Sequence, residues 1–401
     1  MKMIRRTLEV LALLFAIMSV LGALFWPAHS SFIYDDLLFP FAVIHIAIIF
    51  FSDKKWRWLI LLFGMIFAWG LLTDFLANDS LRTSSSGMLL RWLKWPLIIV
   101  TIANCSLPQV NKERLINFVQ LLFLGLVAIN LVLLTNPFGL GETIQFIYAP
   151  KSEVVLGNYN EFGAFRLSGT MLNPNNNASI FGLFMLFFLQ LNPKKYWKYC
   201  LMAFILVFLT QSRTILIVVL ILLVIQILRM NSKRMNLVLI PSGIIGMFLL
   251  LFVFRSTNLI SVFTGEMFGS RSWTERVHHF SLFFDSSFGS KIIGHGIILN
   301  PAKSIGFDLD SEYLSIAYQY GIIGALVWIA IILYLPMITK KITGSMSFGW
   351  MLVLFITISG ITNFVFLNVE VITLISLIFG VWLFLHRANE IENHPNKEAN
   401  Q

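Results

Sequence analysis

Charge is what this chain has least of. Only 12% of its 401 residues are Asp, Glu, Lys or Arg, about half the roughly 25% of a soluble domain. With 57% hydrophobic residues and a mean hydropathy of +0.80, this excludes an ordinary soluble globular domain and points to a polytopic membrane protein. Cysteine is nearly absent: Cys105 and Cys200 both fall beside basic connectors, so no disulfide framework is implied. Acidic residues number 20 against 29 Lys and Arg, a net charge of +9. The basic residues form short clusters between apolar runs, which argues for the positive-inside rule and against nucleic acid as a partner. No internal repeat or low-complexity tract is present.

What fills the chain instead is a series of apolar runs, at roughly 8–26, 33–51, 57–75, 86–103, 114–135, 178–191, 199–228, 235–254, 312–335, 348–366 and 370–385, each near the ~20 residues that a crossing helix needs. The first resembles a signal peptide, but its length and the poor cleavage site Pro27-Ala28-His29-Ser30 read as an uncleaved span. Seven clusters are assigned to the cytoplasmic side: Lys2/Arg5/Arg6, Lys54/Lys55/Arg57, Lys112/Arg114, Lys194/Lys195/Lys198, Arg229/Lys233/Arg234, Lys340/Lys341 and Arg387.

Two successive cytoplasmic clusters, at 194–198 and 229–234, require the segment between them to cross an even number of times. Its polar interruption, Thr210-Gln211-Ser212-Arg213-Thr214, therefore reads as the tip of a short hairpin, with Arg213 at membrane depth. The competing reading is one long tilted helix with a snorkelling Arg. With the hairpin counted, the expectation is an all-α polytopic membrane protein of about 12 transmembrane helices. It is one integral membrane domain over 1–401, with two large outer loops at 136–177 and 255–311.

The chemistry-bearing residues concentrate in those loops. The first ends in Phe165-Arg166-Leu-Ser-Gly169 and then Asn173-Pro174-Asn175, directly before an apolar helix. Asn then Pro is a helix start whose free N–H groups suit an anion, with Arg166 close enough to fold over it; an ordinary cap with a solvated Arg accounts for the same residues. The second loop holds Arg271, then Trp273, Val277, Phe280 and Phe284 on one face of a short helix that also carries Arg276, the pattern of a segment lying on a membrane surface. Gly294-His295-Gly296 is a turn or a catalytic His. Asp310, Ser311 and Glu312 open the next apolar helix, either as an N-cap with its first turn or as a general base at the mouth of a cavity. Asp308-Leu-Asp310 matches a D-x-D metal pattern, but a nucleotide sugar is not available outside the cell, so no metal and no other cofactor is expected.

In order along the chain, Arg166-x-x-Gly169 with Pro174-Asn175, Ser212-Arg213, Arg276-x-x-x-Phe280 leading to Gly294-x-Gly296, and Asp310-Ser311-x-x-Leu314 running into Tyr320-Gly321-Ile-Ile-Gly324 resemble the O-antigen polymerase and O-antigen ligase family of bacterial envelope enzymes. That resemblance implies a metal-independent inverting glycosyltransferase of GT-C-type architecture in the bacterial inner membrane, its active site facing the periplasm. The implied partners are an undecaprenyl-pyrophosphate-linked oligosaccharide, membrane lipid and a chain-length regulator. Arg166, Arg213 and Arg276 would clamp the pyrophosphate, with Arg271 and Asn175 as further substrate contacts. Asp310 is the first choice of base, Glu312 the second and His295 the third.

Ligases carry His-Asn or His-Ser where this chain has Asp310-Ser311, so the expectation is a polymerase joining repeat units. Transfer to lipid A core is the alternative. Asp35-Asp36 raises another: some GT-C enzymes that use a lipid-phosphate monosaccharide carry catalytic acids after the first span. A lipid-linked-oligosaccharide flippase is the alternative from another class, and intramembrane cations would suit it too.

Overall fold

The computed structural model describes residues 2–25, 35–78, 83–148, 158–161, 164–171, 173–229, 281, 283–297 and 311–393, with backbone alone at 2, 78, 83–88, 145–148, 158–161, 164–165 and 388–393. The elements are α1 (Lys2–Phe25), α2 (Phe39–Ser52), α3 (Arg57–Asn78), α4 (Thr83–Ala103), α5 (Lys112–Thr135), α6 (Leu140–Tyr148), strands β1 (Asn158–Glu161) and β2 (Ala164–Leu167), α7 (Pro174–Leu191), α8 (Trp197–Leu209), α9 (Arg213–Arg229), α10 (Phe288–Ile293), α11 (Glu312–Thr343), α12 (Ser347–Ser359) and α13 (Val369–Asn393). Among the described residues, five helices are long and apolar enough to cross a membrane: Met3–Phe25, Arg57–Ala77, Lys112–Thr135, Glu312–Thr343 and Val369–Arg387. The helices α2, α8 and α12 are apolar but shorter. The run at 235–254 and the aromatic face at 273–280 lie outside the described residues.

Polar contacts order the helix ends. At one end Glu9 of α1 accepts from the backbone N–H and, at 2.8 Å, from the hydroxyl of Ser106 just past α4. Trp56 Nε1 and Arg387 both donate to Asn104 Oδ1, at 3.1 and 2.6 Å. Arg229 donates to Ser347 Oγ at 2.6 Å, and Phe348 stacks on Trp382 with centroids 4.4 Å apart, so the ends of α9, α12 and α13 share that same end. At the opposite end Thr170 donates to the Leu24 carbonyl of α1, and Asn177 donates to Asn130 of α5 at 2.9 Å. The described members of the basic clusters, Arg57, Arg229 and Arg387 among them, thus gather at one end of the bundle, as the positive-inside pattern expects.

The hairpin takes the form that the charge clusters demand. Gln190 near the end of α7 donates to Gln226 near the end of α9 at 3.1 Å, so α7 and α9 run the same way and α8 runs back between them. The turn is tight: the Thr210 hydroxyl donates to the Val207 carbonyl, Ser212 N–H donates back to Thr210 Oγ1, and Gln211 takes a positive φ of 53°. At 13 residues α8 is about 20 Å long, shorter than the ~30 Å hydrocarbon core.

The helix α7 is central and is buried along almost its whole length from Pro174 to Leu189, as expected of a helix apolar all round. Phe181, Phe184 and Phe188 pack there against Phe123 of α5.

Three local findings depart from the expected runs. The run at 348–366 is helical only to Ser359, because a turn at 360–362 and the irregular stretch before α13 interrupt it. The segment 136–177 is not all helix: β1 and β2 form an antiparallel hairpin with Tyr159 opposite Arg166. The helix α11 runs past 335 to Thr343 and is broken at Gly321, where φ is +67°. That break frees carbonyls inside an apolar bundle, where each needs a donor. His295 N–H donates to Tyr318 O at 2.9 Å, Gly296 N–H to Gln319 O at 3.1 Å and Trp69 Nε1 to Tyr320 O at 2.7 Å. The segment 294–296 can approach so closely because Gly294 and Gly321 carry no side chain: a Cβ on either would lie 2.2 Å from the other segment's carbonyl oxygen.

Candidate functional site

The end of the bundle opposite the basic clusters collects Arg166, Asn175, the Thr210–Thr214 turn, Thr362, Ser311 and Glu312. Strand β2 delivers Arg166, whose Nε donates to the Thr210 carbonyl at 3.2 Å and whose terminal nitrogen donates to Asn175 Oδ1 at 2.9 Å. Asn173 caps α7 by accepting from Asn175 N–H at 2.8 Å, and Pro174 holds the first helical position. The guanidinium of Arg166 is therefore fixed between the positive end of the α7 dipole and the hairpin tip. Gly169, at φ +56°, turns the chain beneath it. A Cβ there would lie 2.3 Å from Asn130 Oδ1, within the Asn130–Asn177 pair that ties α5 to α7.

From the hairpin tip the contacts continue across the bundle. Arg213 opens α9, and the next residue, Thr214, shares a 2.6 Å hydroxyl bond with Thr362 in the turn after α12. Two residues back, the Gly360 carbonyl accepts from Glu312 N–H at 3.0 Å and from Ser311 Oγ at 3.4 Å. The Glu312 carboxylate, fully buried, accepts from the backbone N–H groups of Val365 at 2.8 Å and Phe366 at 2.7 Å. Both N–H groups belong to the irregular stretch between α12 and α13, which has no ladder of its own to satisfy them. Tyr313 ties the same two helices by donating to the Thr357 carbonyl at 2.6 Å. Beneath this layer Trp92, Trp95, Trp328 and Phe366 pack edge-on or stacked, and Trp92 Nε1 donates to the Tyr320 hydroxyl at 3.0 Å.

The arrangement sorts the sequence candidates. Arg166 and Asn175 touch each other, and Arg213 lies three residues past the Thr210 carbonyl that Arg166 holds. Glu312 belongs to the same end, with both carboxylate oxygens committed to backbone donors; that geometry suits an anchor for residues 360–367 better than a base. His295 stands apart. Its ring stacks on Tyr318 with centroids 4.0 Å apart and its Nδ1 lies 3.1 Å from the Tyr318 carbonyl, about 9 Å of helix rise beyond Glu312. Asp310, Arg271 and Arg276 lie outside the described residues. Among the described residues no group of three or more His, Cys, Asp or Glu could hold a metal ion.

One charged cluster was not assembled by sequence reasoning. Lys94 of α4 bonds Asp36 at 2.5 Å and Asp35 at 3.1 Å, and Asp35 also accepts from Ser19 at 2.6 Å. A lysine nine residues inside an apolar run was the available signal, since a charge at that depth needs a counter-ion. The acids after the first span are thus held in an ion pair. No protein-family model matches the chain, and no curated protein matches it either.

Proposed function

We propose that the protein is a membrane glycosyltransferase of the polysaccharide-polymerase kind, acting at the end of the bundle opposite its basic clusters. In this reading the donor is a glycan on undecaprenyl pyrophosphate and the acceptor is a lipid-linked repeat unit. The acceptor hydroxyl attacks the anomeric carbon, the bond to pyrophosphate breaks with inversion, and undecaprenyl pyrophosphate leaves. A base takes the hydroxyl proton, a task worth roughly 10²–10⁴ in rate. Asp310 is assigned that role, because it directly precedes Ser311 in the sequence and Glu312 is occupied by backbone donors.

The observation that carries the reading is the convergence of Arg166, Asn175 and the Arg213-bearing tip at the N-terminus of α7. Guanidinium groups and a helix N-terminus both favour the charge that develops on a departing pyrophosphate. The test is direct: purified protein in detergent receives a lipid-linked repeat unit with no nucleotide sugar and no lipid A core. A ladder of products longer than one repeat supports a polymerase. Product only when lipid A core is supplied identifies a ligase, and no product with either acceptor rejects the glycosyltransferase reading.

A further inference from the structure

The opposite end of the bundle holds a second polar site, unrelated to the proposed polymerase chemistry. A cavity of about 370 Å³ opens there among α1, α2, α4 and α13, lined by Arg5, Glu9, His45, Asp53, Asn104 and Arg387, among others. Its size lies within the range of small-molecule sites.

The lining groups are not equivalent. Glu9 is turned onto the Ser106 backbone and hydroxyl, and Asp53 Oδ1 accepts from Lys55 N–H at 3.0 Å, so each acid already has a donor. Asn104 Oδ1 accepts from Trp56 and Arg387, which holds the Arg387 guanidinium at the rim. Arg5 is exposed on the first turns of α1. His45 is the anomaly: it is 4% exposed in the otherwise apolar α2, it lines the cavity, and neither ring nitrogen has a hydrogen-bond partner. A buried polar group without a partner is costly, and native structures rarely leave one without a reason. Two guanidiniums and an unpartnered imidazole around one opening form a donor set for an anion with several oxygens.

We propose that this cavity binds a phosphate ester, gripped by Arg5 and Arg387 and accepting a hydrogen bond from the His45 ring. The cavity sits at the end where the basic clusters gather, and basic pockets between helices on that side suit anionic lipid headgroups. A soluble phosphoester offers the same chemistry, so the test must separate the two sources.

The full-length protein in neutral detergent is titrated with phosphatidylglycerol, with diacylglycerol as an uncharged control and with sn-glycerol 3-phosphate as the soluble arm. Bound ligand is counted by native mass spectrometry. Binding of phosphatidylglycerol alone identifies a membrane headgroup; binding of both identifies a site for the phosphate ester itself. Arg5→Ala and Arg387→Ala should each weaken binding roughly tenfold, the loss of one charge-assisted contact. Arg5 is exposed on the first turns of α1, so Arg5→Ala separates lost binding from lost folding, and its ligand-free unfolding temperature should match the parent's. Lys340→Ala, at an exposed basic position near the end of α11, should bind as the parent does. The proposal is overturned if neither ligand binds, if Arg5→Ala and Arg387→Ala bind as tightly as the parent, or if Lys340→Ala weakens binding equally, which would mark diffuse attraction to a basic end.

Discussion

Replacing Glu312 by Gln tests whether this buried acid holds its end of the bundle together. Its two oxygens receive the N–H groups of Val365 and Phe366 at 2.8 and 2.7 Å, in a place with no exposed surface. A Gln of the same shape keeps one carbonyl oxygen but turns an NH₂ towards the other N–H. One backbone donor is then left unsatisfied, at about 1–3 kcal/mol, and the surviving bond loses its charge assistance, worth about 1 kcal/mol more. The sum is a loss of roughly 2–4 kcal/mol, which at about 2 °C per kcal/mol lowers the unfolding midpoint by roughly 4–8 °C. Glu312→Ala strands both donors and should fall further. The assay is thermal unfolding followed with a fluorogenic thiol probe, since Cys200 is buried and Cys105 half-buried. Burial, with Glu9 nearby, pushes the Cys105 thiol up to about 11, so little thiolate exists in the folded protein at pH 7 and labelling reports unfolding. Midpoints for Glu312→Gln and Glu312→Ala within 1 °C or so of the parent would refute the anchoring role.

Four other expectations follow from the same contacts. Arg166→Lys retains charge but cannot bridge Thr210 and Asn175 with a planar fork, so turnover should drop by roughly tenfold or more with the unfolding midpoint nearly unchanged; parental turnover would remove Arg166 from the site. Gly294→Ala and Gly321→Ala each drive a Cβ to 2.2 Å from a carbonyl oxygen, so both should express poorly or unfold several degrees lower, and normal stability in either would contradict the docking of residues 294–296 on the α11 break. Reporters fused at Lys194 and Ser232 should read the same side, and those at Gly157 and Ser287 the other; opposite readings for Lys194 and Ser232 would disprove the hairpin. Because the Cys105 thiol is raised when folded, the folded form prefers it protonated: that contribution is present below about pH 9 and lost as pH rises through about 11, so alkaline destabilisation should be smaller in Cys105→Ser, and identical pH profiles would show that burial there does not matter.

The hairpin was legible because it follows from a counting argument: two basic clusters on one side force an even number of crossings, and Thr210–Thr214 offered one polar place to turn. The start of α7 was legible too, since Asn173 and Pro174 act within one helical turn. The end of α12 was not. Gly360 with Thr362-Asn363 offered only a weak stop signal inside an apolar run; the donors at Val365 and Phe366 are satisfied by Glu312, more than fifty residues earlier in sequence. The same holds for the break in α11, whose carbonyls depend on Trp69, His295 and Gly296, and for Asp35 and Asp36, which wait on Lys94. Local chemistry could be read in order along the chain, whereas partnerships between distant segments needed the fold.

The most direct measurement compares the ladder of polymerised glycan made by the parent protein, Asp310→Asn and Glu312→Gln, each purified and normalised to folded material, from one lipid-linked repeat unit. The account predicts a ladder from the parent, single-repeat product from Asp310→Asn, and a ladder of reduced yield from Glu312→Gln whose rate per folded molecule stays near the parent's. A full ladder from Asp310→Asn, together with none from folded Glu312→Gln, would exchange the roles of base and anchor and contradict the account.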